Sequence, residues 1–179
     1  MTSAISAAHQ RYDEQVQRLL AELKPVASAA LHQAPAEGAW SALQTVQHLI
    51  LVEEASLAYI RKKLSFNPEL PEPTWVTYPK MLLLQVTLWS PIKFKAPKSA
   101  GNEQIIAAVN LEDLQARWLK IRGEWTDFLT QMPPELQDKA VYRHPRVGLI
   151  SWTQMLNFLA WHLLRHRKQI QGAIQAAHR

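Results

Sequence analysis

Apolar residues along this chain recur at intervals of three and four, the period of a helix with one buried face. Tyr12, Val16, Leu19, Leu23, Ala27 and Ala30 form the first such stripe and predict a helix over Ser3 to His32, kinked at Pro25. Ser41, followed three residues later by Gln44, has the form of a capping box and starts a second helix that runs to about Leu64. On it His48, Val52, Ala55 and Tyr59 share one face, which points a histidine toward the core. Leu111, Leu114, Trp118, Ile121, Trp125, Phe128 and Met132 predict a third helix, opening at Asn110 and ended by Pro133 and Pro134. Ser151 and Gln154 repeat the capping box and open a fourth helix through to about Ala176. Its stripe of Trp152, Met155, Leu159, His162, His166 and Ile170 covers about one third of the circumference.

Between helices two and three, residues 65–102 carry six prolines and the apolar run MLLLQVTLW, which Pro79 is expected to open as a short helix. A long connection with structure of its own usually serves a function. Neither strand-type alternation nor an Asn-Gly hairpin signal competes with the helical periods, so the expectation is an all-α four-helix bundle in one domain, residues 1–179. With 47% hydrophobic residues a packed core is within reach, which excludes intrinsic disorder. The absence of cysteine excludes disulfides, zinc-thiolate sites and a protein thiol nucleophile, and it fits the cytoplasm. No stretch approaches the ~18 apolar residues of a membrane span. A formal net charge of +5 is a modest bias toward anionic partners. Its basic residues, at Arg61 to Lys63, Lys93 to Lys98, Arg143 to Arg146 and Arg165 to Lys168, are dispersed without an RNA-binding or helix-turn-helix signature, which weighs against nucleic acid.

The chemistry is carried by histidines. His162 and His166 stand at i and i+4, about 6 Å apart along the helix axis, a spacing at which two imidazoles can converge on one ion. His48 is the candidate third ligand, from helix two. A lone His-x-x-x-His also arises by chance in a helical protein with seven histidines. Burial separates the two readings, because an imidazole inside an apolar stripe needs a polar partner and a shared metal supplies one.

WSALQTVQHL, from Trp40 to Leu49, together with HPRVGLISWTQMLNFLAWHLLRHRKQI, from His144 to Ile170, resembles the DinB/YfiT-like superfamily of metal-dependent enzymes. The shared features are a Trp-Ser opening to helix two with a histidine seven residues after the serine, and a late His-x-x-x-His followed by Gln-Ile. The resemblance implies an up-down-down-up bundle with a long crossover between helices two and three. It also implies a divalent metal, zinc or nickel, on His48, His162 and His166. Family activities include transfer of low-molecular-weight thiols and hydrolysis, and members often form homodimers. The residues between the paired histidines, Leu163, Leu164 and Arg165, depart from the polar or acidic ones common in the family.

The site is thus expected to activate water or an exogenous thiol for a small-molecule substrate, as a hydrolase or thiol transferase. The alternative is a non-catalytic metal-containing or basic module that binds nucleic acid or an acidic partner. Gln44 and Gln169, one turn before His48 and nearly one turn after His166, can orient a ligand but cannot titrate. Lys95, with Lys93 and Lys98, is a candidate for drawing an anionic substrate to the mouth. Glu53 and Glu54 are expected to face solvent. His144 beside Pro145, and His178 near the terminus, are expected to be solvated; His32 is placed at the rim and His9 on the surface or in the core. Trp118, Trp125 and Trp152 belong to core stripes. Trp75 and Trp89 belong to the crossover, packed on the bundle or walling a pocket, and Trp161 is assigned an exposed or dimer-interface place.

Overall fold

The first backbone N–H groups of a helix have no partner within it, and four side chains in this chain supply one at the start of a long helix. In the computed structural model, which describes residues 1–90, 105 and 109–177, Thr2 caps α1 (Ser3–Leu23) and Ser41 caps α3 (Ala42–Leu64). Asn110 caps α5 (Leu111–Thr130), and Ser151 precedes α6 (Trp152–Ala177). Both expected capping boxes form. Ser41 Oγ accepts from the Gln44 backbone N–H while Gln44 Oε1 accepts from that of Ser41, and Ser151 and Gln154 repeat the exchange.

The first helix ends at Leu23 rather than kinking through to His32. Pro25 has no N–H to continue the ladder and Ala27 is extended, so the chain restarts as a separate short helix α2 (Ser28–His32). The connection from α3 to α5 contains α4 (Thr77–Trp89), which begins two residues before Pro79. Pro79 sits in its first turn, where no backbone donor is needed. The expectation of no strands is corrected. After a 3-10 turn at Pro134–Leu136, β1 (Ala140–His144) pairs antiparallel with β2 (Gly148–Ser151), His144 opposite Gly148. Gly148 takes φ +95°, the left-handed conformation that glycine adopts without strain. The hairpin is held from outside its own ladder: Lys63 Nζ donates to Val141 O at 2.9 Å, and Ala140 N–H to Pro71 O at 2.9 Å. No helix among the described residues is long and apolar enough to cross a membrane.

One core joins α1, α3, α5 and α6 with the hairpin and the inner face of α4. Trp118, Trp125 and Trp152 lie in it with no exposed surface, on the stripes their spacing defines. Trp161, assigned outside, is half-buried and packs against that core. On α3 the buried face is rotated from the expected one. Val46, Leu49, Ile50, Leu57 and Ile60 are buried, whereas Ala55 is exposed and Tyr59 is 39% exposed against the hairpin's Tyr142.

The reason for that rotation is Glu53, which faces inward instead of toward solvent and has no exposed surface. Its Oε2 accepts from Trp118 Nε1 at 2.8 Å and Tyr12 Oη at 3.1 Å, and its Oε1 accepts from Arg122 Nη1 at 2.5 Å. Arg122 also donates through Nε to Asp13 at 2.6 Å and lies over the Tyr12 ring, and Asp13 reaches buried His9 at 3.2 Å. Burial pushes the Glu53 carboxyl up, opposed by Arg122, Trp118 and Tyr12. Glu54, half-buried, pairs in fork geometry with Arg117 at 2.6 and 2.7 Å. Arg61 with Glu124 repeats an α3–α5 pair seven residues further along both helices. Between α1 and α6, Arg11 donates to Asn157, and Glu22 pairs with Arg167.

Glu53→Ala is expected to lower stability by about 3–5 kcal/mol, because Arg122 is left as a buried charge without its main partner. Urea denaturation measures it, and a loss under about 1 kcal/mol would contradict the role assigned to this network.

Candidate metal centre

Helix starts decide where the histidines stand. From the Ser41 box, α3 carries His48 inward, 3% exposed. From the Ser151 box, α6 carries His162 and His166 on successive turns, both partly exposed. The three rings meet, with centroid separations of 5.3 Å from His48 to His162, 5.0 Å from His48 to His166 and 4.5 Å between His162 and His166. One ring nitrogen from each lies within 4.8 Å of the other two. His162 Nε2 and His166 Nε2 are 3.0 Å apart.

Two imidazole nitrogens at that distance cannot both present lone pairs without a proton or cation between them. Tetrahedral ligation at zinc-to-nitrogen distances of 2.0–2.1 Å places ligand nitrogens about 3.3 Å from one another. The His162–His166 pair is already close to that spacing and the His48 nitrogen lies within 4.8 Å of both, so the donor set suits a divalent ion. Among the described residues no further His, Asp or Glu joins the group, and the chain has no cysteine.

The surroundings of His162 and His166 disfavour the protonated form. Burial lowers His162 well below the ordinary histidine value, helped by His166, His48, Arg165 and His144. His166 is held down to about 4, chiefly by burial and then by His48. A metal ligand must be an unprotonated imidazole, so these shifts favour binding. His166 Nδ1 is 3.0 Å from Gln169 Oε1. With that oxygen as acceptor, Nδ1 carries the proton and Nε2 is left as a lone pair facing the other two rings. Gln44 is engaged elsewhere, in the capping box at the head of α3. Lys93, Lys95 and Lys98 lie outside the described residues, as does His178.

Several groups around the triad are not visible in the sequence periods. Trp40 packs on His48 with ring centroids 5.0 Å apart. Phe158, one turn before His162, stacks on it at 5.5 Å. Arg165, between the paired histidines, donates through Nη1 to Leu88 O and Ser90 O at the end of α4, both at 3.1 Å. At the other end of α4, Gln154 Nε2 donates to Thr77 Oγ1 at 2.9 Å. His144 is not solvated as expected but 6% exposed, because the hairpin folds its ring against Phe158, 4.5 Å between centroids. The i−4 position of Phe158 was readable, whereas the placement of His144 depends on the hairpin. His32 is exposed, its Nδ1 2.8 Å from Ser28 O and its Nε2 3.0 Å from Val109 O, so it is engaged away from the triad.

A sequence model of the DinB superfamily matches residues 11–170, a span that includes all three histidines. Among solved structures the chain is similar to YfiT from Bacillus subtilis, described as a probable metal-dependent hydrolase with an unusual four-helix bundle topology. That likeness has a TM-score of 0.59 at 20% identity and covers 98% of this chain and 89% of the other. No curated protein matches the chain.

The buried neutral histidines give a pH dependence with a definite sign. His166 and His144, both lowered to about 4 from an ordinary 6.5, bind fewer protons in the folded chain than in the unfolded one between those values. Stability of the metal-free protein is expected to fall as pH drops from 6.5 toward 4, read as the urea midpoint at each pH. His166→Gln is expected to flatten this slope, and an unchanged slope would contradict the assignment.

Proposed function

The chain belongs to the DinB superfamily, and from that premise we propose that it is a metal-dependent enzyme whose His48, His162 and His166 hold a divalent ion, zinc or nickel. The observation that carries this reading is the convergence of three ring nitrogens within 4.8 Å, from two helices started by matching capping boxes. When bound, such an ion supplies Lewis acidity that brings a coordinated water toward a pKa of ~7 or captures a thiolate. The reaction proposed is hydrolysis of a small-molecule substrate, or its attack by a low-molecular-weight thiol. An up-down-down-up order of helices is part of the proposal. It is supported by α3–α5 pairs that advance together from Glu54–Arg117 to Arg61–Glu124, and by α1–α6 pairs that advance from Arg11–Asn157 to Glu22–Arg167.

The chain's own residues have definite tasks in this scheme. Gln169 holds His166 by its Nδ1–H, which fixes the ring's orientation. Trp40 and Phe158 cover faces of His48 and His162 and exclude water there. Arg165 adds positive charge beside the triad and favours an anionic substrate. A basic binding module is less well supported, since Arg61, Arg117, Arg122 and Arg167 are each paired with a carboxylate.

A homodimer is also part of this reading, formed through the outer face of α4. Around and along that helix Trp75, Tyr78, Leu82, Leu83, Val86 and Trp89 are 57–78% exposed. At ~150–250 Å² for a large side chain, these surfaces amount to on the order of 700 Å² per protomer, close to the ~800 Å² per partner of a standard interface. Both ends of α4 are tied to α6, by Thr77–Gln154 and by Arg165, so the face is presented as a rigid surface.

Purified protein is expected to contain about one divalent ion per chain, and His48→Ala, His162→Ala and His166→Ala are each expected to lose it with all activity on small esters, amides or electrophiles assayed with and without added thiol. Unchanged metal content in the three variants would sink the proposal. Light scattering is expected to give a dimer for the native chain and a monomer for the Leu82→Glu/Val86→Glu double variant. A native monomer, including one that sediments with lipid vesicles, would overturn the dimer.

A further inference from the structure

His144 belongs to neither the core stripes nor the triad, and its hydrogen bonds define its chemistry. The hairpin turn donates two backbone N–H groups to its Nδ1, from Arg146 at 3.2 Å and from Val147 at 3.3 Å. A ring nitrogen that accepts both holds a lone pair, so in the neutral ring the proton is on Nε2. Burial first, and then Arg146, keep the ring neutral by lowering it to about 4. Its Nε2 makes no hydrogen bond among the described residues, and 6% of the residue is exposed. Ring centroids lead from His144 to Phe158 in 4.5 Å and from Phe158 to His162 in 5.5 Å. A fixed N–H donor therefore stands one aromatic ring away from the three converging histidines.

We propose that His144 Nε2–H donates a hydrogen bond to a carbonyl or carboxylate oxygen of the substrate held at His48, His162 and His166, and so selects substrates that carry such an oxygen. The assignment rests on the metal-dependent reading above. A buried polar donor with one tautomer discriminates strongly, because a substrate lacking the acceptor leaves it unpaired. The positive charge of Arg146 beside His144 and Arg165 beside the triad favours an oxygen that bears negative charge.

Two substitutions separate binding from a turn-holding role. His144→Asn keeps an acceptor close to the position of Nδ1 and removes the ε donor. His144→Gln places an N–H close to Nε2 and removes the acceptor at Nδ1. The probe is acetohydroxamate, titrated into the cobalt-loaded protein and followed by visible absorption, with cobalt affinity and urea midpoint measured alongside. His144→Asn is expected to keep cobalt affinity within about twofold and the native midpoint, and to bind acetohydroxamate about tenfold more weakly. His144→Gln is expected to lower the midpoint yet keep probe affinity within about threefold of the native protein. Native probe affinity in His144→Asn overturns the proposal, and so does probe affinity that follows the midpoint in both variants, the mark of a turn acceptor alone. Failure of the native chain to take up cobalt overturns the metal reading on which it rests. Normal cobalt loading with an indifferent His144 overturns only this inference.

Discussion

An imidazole taken out of water must have its nitrogens satisfied, and here three are brought so close that they cannot all be satisfied by one another. His162 and His166 present Nε2 atoms 3.0 Å apart, and His48 closes the group from the facing helix. No carboxylate or further histidine joins them among the described residues, and Arg165 is a positive charge beside His162 and His166. Burial first, and then the neighbouring positive groups, drive protons off His162 and His166. What remains is a set of lone pairs whose natural complement is a cation of small radius and high charge.

The rest of the fold can be understood as the means of holding that arrangement. A capping box starts each histidine-bearing helix and so determines how deep in the bundle each ring lies. Glu53, five residues beyond His48, binds Tyr12 of α1 and both Trp118 and Arg122 of α5, locking the rotation of α3 about its axis. A rotation of α3 would carry His48 away from α6 and pull Glu53 off Arg122, leaving that buried guanidinium with Asp13 as its remaining carboxylate partner. The polar network and the histidine cluster thus depend on the same helix orientation from opposite sides. The hairpin completes the enclosure by folding His144 against Phe158.

Long periods and local hydrogen bonds were legible in the sequence. The four long helices, the capping boxes at Ser41 and Ser151 and the tryptophan core follow from local spacings of three and four, and the grouping of His48 with His162 and His166 from those spacings together with the family resemblance of their motifs. What could not be read depended on partners far along the chain. Glu53 looks like half of an exposed acidic pair, and its burial is set by Arg122, 69 positions later. The hairpin leaves little trace in the sequence because its strands are five and four residues long and its turn, Pro145 to Val147, lacks an Asn-Gly signal. The burial of His144 is hidden for the same reason, since a histidine beside proline reads as loop until the strands pair. Pro25 reads in the sequence as a kink, but a missing donor followed by Ala27 at ψ 134° ends the helix rather than bending it.

The most direct test of the central claim is X-ray absorption at the metal edge of the protein as purified. Three imidazole nitrogens at about 2.0–2.1 Å, accompanied by light oxygen scatterers from solvent, is the coordination these residues are arranged to give. A shell with fewer than three imidazoles, or one filled by carboxylates, would contradict it.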